Sequence, residues 1–213
     1  MIASIIAEIK GQFANDTSGH DWFHILRVHK MACYLQEKEG GDLEIIELAS
    51  LLHDISDHKM NGGIFNDGGN VARKILHKHN YDPLKTEAVV SIIDAVSFKG
   101  ALVKDKMDSL EGKIVQDADR LDAIGAMGIA RAFAYGGHKN RPMYQPDILP
   151  EQHEDFLTYA KSEGHTINHF YEKLLLLKDR LNTESARKIG QKRHDFMETF
   201  LAQFYKEWNT ETE

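Results

Sequence analysis

Between residues 42 and 57 the chain reads DLEIIELASLLHDISD. This stretch constrains the fold more than any other. Asp42 is a natural helix cap, and Leu43, Ile46, Leu48, Leu51 and Leu52 recur at helical spacing on the side that must be buried. The apolar run ends in His53-Asp54, with a further carboxylate, Asp57, three residues on. A core helix therefore delivers an imidazole and a carboxylate together at its inner end. These are the donor types that bind a borderline or hard divalent cation.

The same period continues on both sides. Ile2, Ile5, Ile6, Ile9 and Phe13 predict an amphipathic helix over 2–14. Asn15 to Gly19 reads as a turn and cap cluster. A second helix is expected from His20 to about Glu39, stopped by Gly40-Gly41, with Asp21 a first-turn partner for the helix dipole. Residues 59–69, KMNGGIFNDGG, form a glycine-rich loop without the GK[ST] ending of a Walker loop. Helices are expected over 70–80 and 84–96, with Pro83 near the start of the second. A long helical pattern then runs from Leu110 through Ala134. Residues 135–153 hold three of the four prolines and read as an extended loop, and helices follow over 165–181 and 183–208. No convincing alternating strand run occurs. The expectation is an all-α chain, one domain over 1–213, with its chemistry in residues about 18–130 and a lid with C-terminal helices over about 131–208.

Composition sets the limits. In 213 residues, 42% are hydrophobic, enough to bury a sizeable core. Acidic residues outnumber basic ones by 33 to 26, for a net charge of −7, which argues against nucleic acid or an anionic membrane as partner. Cys33 is the one cysteine, so no internal disulfide forms, as suits a reducing compartment. Nothing in the N-terminal stretch reads as a signal or a span. We expect a cytoplasmic protein, monomer or homodimer; the late Phe196, Phe200, Phe204 stripe is core or dimer surface.

Further chemistry-bearing residues sit in other apolar settings. His20, His24 and Arg27 share one helical face. Asp119 and Asp122 are three apart inside QDADRLDAIGAMGI, among Ala118, Leu121, Ala123 and Ile124. Carboxylates in such surroundings are costly unless something satisfies them, and a metal ion does so.

The order His24, His53-Asp54, Asp119 resembles the H…HD…D signature of the HD-domain metal-dependent phosphohydrolases. The surroundings match too: HILRV over 24–28, LLHDI over 51–55 and DADRLDAIG over 117–125. Likeness to small stand-alone bacterial HD hydrolases extends to SFKG (97–100), FAYGG (133–137), RPMY (141–144) and HFYEKLL (169–175). Some of those cleave nucleoside or deoxynucleoside triphosphates at the α-phosphorus with Mn²⁺ bound, giving a monophosphate and pyrophosphate. The resemblance implies a helical bundle and one divalent transition metal held by His24, His53, Asp54 and Asp119. Two imidazoles and two carboxylates suit Mn²⁺, or Fe, Co, Ni or Zn, better than Mg²⁺.

The resemblance also gives Asp57, beside Asp54, a catalytic role as general base or orienter; a solvated helix-end carboxylate is its plain alternative. Two-metal relatives carry an extra His where Val96 stands here, and His77 and His79 fall on different helix faces, so a single ion is expected. For the substrate we expect a small nucleotide or other phosphate ester, met by His20, Arg27, Lys59, Lys99, Arg141, Tyr144, His169 and Lys173. Arg131 and Lys139 add charge near the mouth, and Asp122 stands behind the ligands or Arg27. Each of these is also readable as an ordinary surface or packing residue. A phosphomonoesterase or phosphodiesterase using the same site is the alternative reading, and a non-catalytic nucleotide sensor a further one. His194-Asp195 lacks the surrounding signature and is read as coincidence.

Overall fold

A computed structural model describes residues 2–13, 21–55, 67–96, 107–151 and 164–211. Among the described residues there are nine α-helices, one 3-10 helix and no strand: α1 Ile2–Gln12, α2 Trp22–Glu39, α3 Leu43–Leu52, α4 Gly68–Lys78, α5 Pro83–Val96, α6 Leu110–Asp122, α7 Gly125–His138, α8 Thr166–Glu172, the 3-10 helix Leu174–Arg180, and α9 Glu184–Trp208. The fold is all-α, as the periodicity requires. His20, Asp57, Lys59 and Lys99 lie outside the described residues, as do the Asn15–Gly19 cluster and most of the glycine-rich loop.

The chain divides into two compact units, Met1–Lys99 with Lys104–Asp119, and Gly100–Val103 with Arg120–Glu213. In the first, α3 packs against α1, α2 and α5, and α4 packs on α5. Leu48, Leu51 and Leu52 are fully buried, worth about 2 kcal/mol each, and they anchor the end of α3 where His53 sits. The Asp42 side chain accepts from the N–H groups of Glu44 and Ile45 at 3.0 and 3.3 Å. Its own N–H donates to Glu111 Oε1 at 3.0 Å, which fixes the first turn of α6 against the start of α3. Gly68 and Gly69 open α4 rather than closing a loop. A Cβ on Gly69 would meet Asp94 Oδ1 at 2.5 Å, so the glycine permits this close approach to α5.

In the second unit, α9 packs on α7 and the 3-10 helix, and α8 on α7. Phe133, Phe170 and Phe200 form one ring cluster with centroids 5.8–6.2 Å apart.

Three expected elements differ. The run from Leu110 to Ala134 is two helices, because Ile124 is extended and Gly125 has φ +75°, a conformation that favours glycine. The second of them, α7, carries on through Gly136-Gly137 to His138, into the expected loop. The helix expected over 165–181 stops at Glu172, where Lys173 leaves helical geometry (φ −141°, ψ −59°), and resumes as 3-10 turns. Among the described residues no helix is long and apolar enough to cross a membrane.

Candidate metal centre

Side chains of the first unit gather here: His24, His53 and Asp119 form one donor group, and Asp54 lies against the two imidazoles. His24 stands in the first turn of α2. That turn is capped by Asp21, whose Oδ1 accepts from the His24 N–H at 2.8 Å. Asp21 thus acts as the N-cap itself rather than as a partner inside the first turn, and it sets where His24 begins its helical path. His53 is the C-cap of α3 and Asp54 follows in the turn. Asp119 comes from α6.

The donor atoms are close. His24 Nε2 lies 3.2 Å from His53 Nε2 and 3.2 Å from Asp54 Oδ2. His53 Nε2 lies 3.5 Å from Asp54 Oδ2. Asp119 Oδ1 lies 3.6 and 3.8 Å from the two imidazole nitrogens. Ligand bonds of about 2.1 Å place neighbouring donors about 2.9 to 3.4 Å apart around an ion, so this spacing fits a divalent cation with small adjustment.

Tautomers support the same conclusion. His53 Nδ1 is 2.8 Å from the Ser50 carbonyl. A carbonyl only accepts, so Nδ1 carries the proton and Nε2 presents its lone pair to the cluster. That is the usual arrangement of a metal-binding histidine. Both imidazoles are buried, while Asp54 and Asp119 are 16% and 31% exposed. The cluster is therefore backed by the core on its histidine side and open to solvent on its carboxylate side. His24, His53 and Asp119 can hold a divalent metal.

The remaining expected residues are placed as follows. Arg27 is half-buried, one turn after His24. Asp122, expected behind the ligands, accepts from Arg131 at 2.8 Å, which also engages one of the cations expected near the mouth. The Arg141 guanidinium lies 6.0 Å and the Lys139 ammonium 5.8 Å from the centre of the Tyr135 ring. Tyr144 packs among His165, Phe204, Tyr205 and Trp208 at 4.9–5.8 Å. His169 lies in α8, but Lys173 caps that helix from outside, so the two do not continue one helical face. His79 pairs with Glu8 at 3.1 Å and His77 is exposed. His194 pairs with Glu198 at 3.3 Å, one turn along α9.

Sequence reasoning missed two positioning groups. Asp21 was visible as a capping residue three before a histidine. The Ser50 carbonyl carries no side-chain signal at all.

Helices presenting two histidines and two aspartates in this order define a class, and the HD domain family matches residues 22–124. The chain belongs to this HD superfamily of metal-dependent phosphohydrolases. Among individual relatives, it is 40% identical to the uncharacterised protein YpgQ of Bacillus subtilis, over 93% of this chain and 89% of that one. A crystal structure of YpgQ in complex with ADP superposes with a TM-score of 0.77 at 36% identity, covering 97% of both chains. An HD-superfamily hydrolase from Bacillus thuringiensis is 44% identical with a TM-score of 0.74, over 98% of this chain and 96% of that one. A Lactobacillus plantarum protein of known structure gives a TM-score of 0.88 at 37% identity, over 99% and 97% of the two chains.

Proposed function

We propose that this phosphohydrolase acts on nucleoside or deoxynucleoside triphosphates, cleaving at the α-phosphorus to release a monophosphate and pyrophosphate, with Mn²⁺ as its ion. The observation that carries the reading is the gathering of His24 Nε2, His53 Nε2 and Asp119 Oδ1, with Asp54 Oδ2 beside both imidazoles and the carboxylate side exposed. The nucleotide part is supported by the relative YpgQ, which has been crystallised with ADP. Two nitrogen and two carboxylate donors favour a first-row transition ion over Mg²⁺.

When bound, such an ion acidifies water and offsets charge on a phosphoryl oxygen. The chain's own residues do the rest. The Ser50 carbonyl holds the His53 ring in its ligating tautomer, and the Asp21 cap holds His24 at the first turn of α2. Asp57 serves as the general base that takes the proton from the attacking water. Arg27, Lys59, Lys99 and Arg141 supply positive charge to the polyphosphate, and His20, Tyr144, His169 and Lys173 complete its recognition. The protein acts in the cytoplasm.

Purified protein with Mn²⁺ and a panel of nucleoside mono-, di- and triphosphates tests this. Pyrophosphate is the expected product from a triphosphate. Orthophosphate alone would assign the site to a phosphomonoesterase, and no turnover of any triphosphate with metal bound would defeat the substrate reading. His53→Ala should remove metal binding, read by calorimetry, and lower turnover by about 100-fold or more.

A further inference from the structure

A second group of metal-ligating side chains lies in the first unit, on other faces of the same two helices. His29 and Cys33 are four residues apart on α2, and Glu47 faces them from α3. His29 follows His24 by five residues, about 140° further round the helix, so it does not share that residue's face. Cys33 Sγ is 3.9 Å from His29 Nε2, and Glu47 Oε1 is 4.0 Å from the same nitrogen. One donor atom from each of the three lies within 4.8 Å of the others.

The geometry points to a thiolate-containing site for a zinc-class divalent ion, formed by His29, Cys33 and Glu47. Hydrogen bonds fix the histidine as a ligand. The Ser50 hydroxyl donates to the Glu47 carbonyl at 2.9 Å, which uses its one proton. Its oxygen is then an acceptor for His29 Nδ1–H at 3.2 Å. With Nδ1 protonated, Nε2 keeps its lone pair for an ion; Cys33 Sγ lies 3.9 Å from both ring nitrogens, so its side chain must turn for one ion to take Nε2 and the sulfur together. Across a tetrahedral ion with bonds of about 2.1 and 2.3 Å, donors sit about 3.4 to 3.6 Å apart. The observed separations are near these values, and a turn of the Cys33 side chain with movement of the Glu47 side chain, 25% exposed, completes the ligand set.

The protonation states agree with an ion-dependent role. Burial lowers the pKa of His29, an effect Glu47 opposes, and so favours the neutral, ligating ring. Burial first, and Glu47 second, push the Cys33 thiol up. Without an ion the thiol keeps its proton; binding displaces that proton to solvent. Thiolate with imidazole selects Zn²⁺ or Co²⁺ over Mn²⁺, Mg²⁺ or Ca²⁺, which separates this site from the N2O2 cluster. Ser50 serves both: its hydroxyl receives His29, and its carbonyl receives His53. Ion binding at this site therefore clamps α2 to α3 beside the group that orients His53.

Cobalt gives a specific test, because Cys33 is the chain's one cysteine and only a thiolate ligand produces a near-ultraviolet sulfur-to-cobalt charge-transfer band. Full-length protein with Mn²⁺ present is titrated with Co²⁺. A saturable band is expected, absent in Cys33→Ser and weakened at least tenfold in affinity in both His29→Gln and Glu47→Gln. No band in the wild type overturns the site, as does a band of unchanged affinity in those two variants. A measurement on the unaltered protein guards against variants that fail to fold. Zn²⁺ should slow the reaction of Cys33 with a disulfide reagent at least tenfold, with a chelator restoring it; an unchanged rate overturns the proposal.

Discussion

His24 Nε2 lies 3.2 Å from both His53 Nε2 and the Asp54 carboxylate, and His53 Nε2 lies 3.5 Å from that carboxylate. Such an approach is sustained only if something shared lies between the donors or if one ring keeps a proton on Nε2. In a neutral ring the Ser50 carbonyl removes the second option for His53, because its single proton is on Nδ1, which leaves a shared ion or a proton on His24 Nε2. At this scale the sequence was informative where residue type and setting conflicted: His53 closing a leucine-rich run, and Asp119 flanked by alanine and leucine. It was silent where the positioning group is a backbone carbonyl. Asp122 shows the limit most clearly. Its apolar surroundings demanded a partner, but only the coordinates supply Arg131 at 2.8 Å, with the half-buried Arg193 also within electrostatic reach. Asp122→Asn leaves guanidinium charge without its carboxylate in a site where Asp122 itself is 6% exposed. We expect a loss of about 3 kcal/mol in stability, measured by urea denaturation, with the helical content of the folded state unchanged.

At the scale of elements, the helices were legible from their apolar period and their ends from caps. Asp42 and Thr183 both cap as their residue types suggest, the latter through a bond to the Ala186 N–H. The breaks were not legible, because they depend on local backbone geometry more than on period. Gly125 sits in an apolar pattern that a longer helix would also satisfy; it breaks there because its backbone turns to φ +75°, with the Arg193 side chain 2.9 Å from where a Cβ would sit. The cap of α3 makes a pH prediction. Lys85, paired to Asp42 at 3.0 Å, comes first in holding its carboxyl below the usual range, followed by the two capped N–H groups. A carboxylate depressed in the folded state stabilises above its unfolded pKa of about 3.9, and that contribution is lost as pH falls through the folded value. Asp42→Asn keeps an acceptor for the cap but loses the charge. Since the pair is more than a third exposed, its deficit at pH 7 should be about 0.5 kcal/mol, shrinking toward zero as pH drops below the carboxylate range. Asp42→Ala should cost about 1 kcal/mol, part of it persisting at low pH. Thermal melts of the three proteins across pH separate the charge from the cap; a deficit of Asp42→Asn that grows on acidification would show the sign to be wrong.

For the molecule as a whole, the centre gathers segments far apart in sequence: the start of α2, the end of α3 and the last turns of α6. An ion bound there is a crosslink of the folded state that the unfolded chain cannot reproduce, so its binding free energy adds to stability by mass action. At a free Mn²⁺ concentration of about 100 times the dissociation constant the gain is about 2.7 kcal/mol. For a chain of this size that corresponds to a rise in Tm of about 5 to 10 °C, reversed by a chelator. A chain with 33 acidic residues and a net charge of −7 also gains from any divalent cation through screening. Mg²⁺ at equal concentration measures that background, and the Mn²⁺ effect should exceed it. Mn²⁺ is the ion to use because it binds thiolate poorly, so the His29–Cys33–Glu47 group contributes little to the shift. His53→Ala should abolish the Mn²⁺-specific part and Asp119→Asn most of it, while Cys33→Ser leaves it intact. If the His53→Ala protein still rises as far as the wild type, the stabilising ion sits elsewhere, and the four-residue cluster is a polar core feature rather than a metal centre.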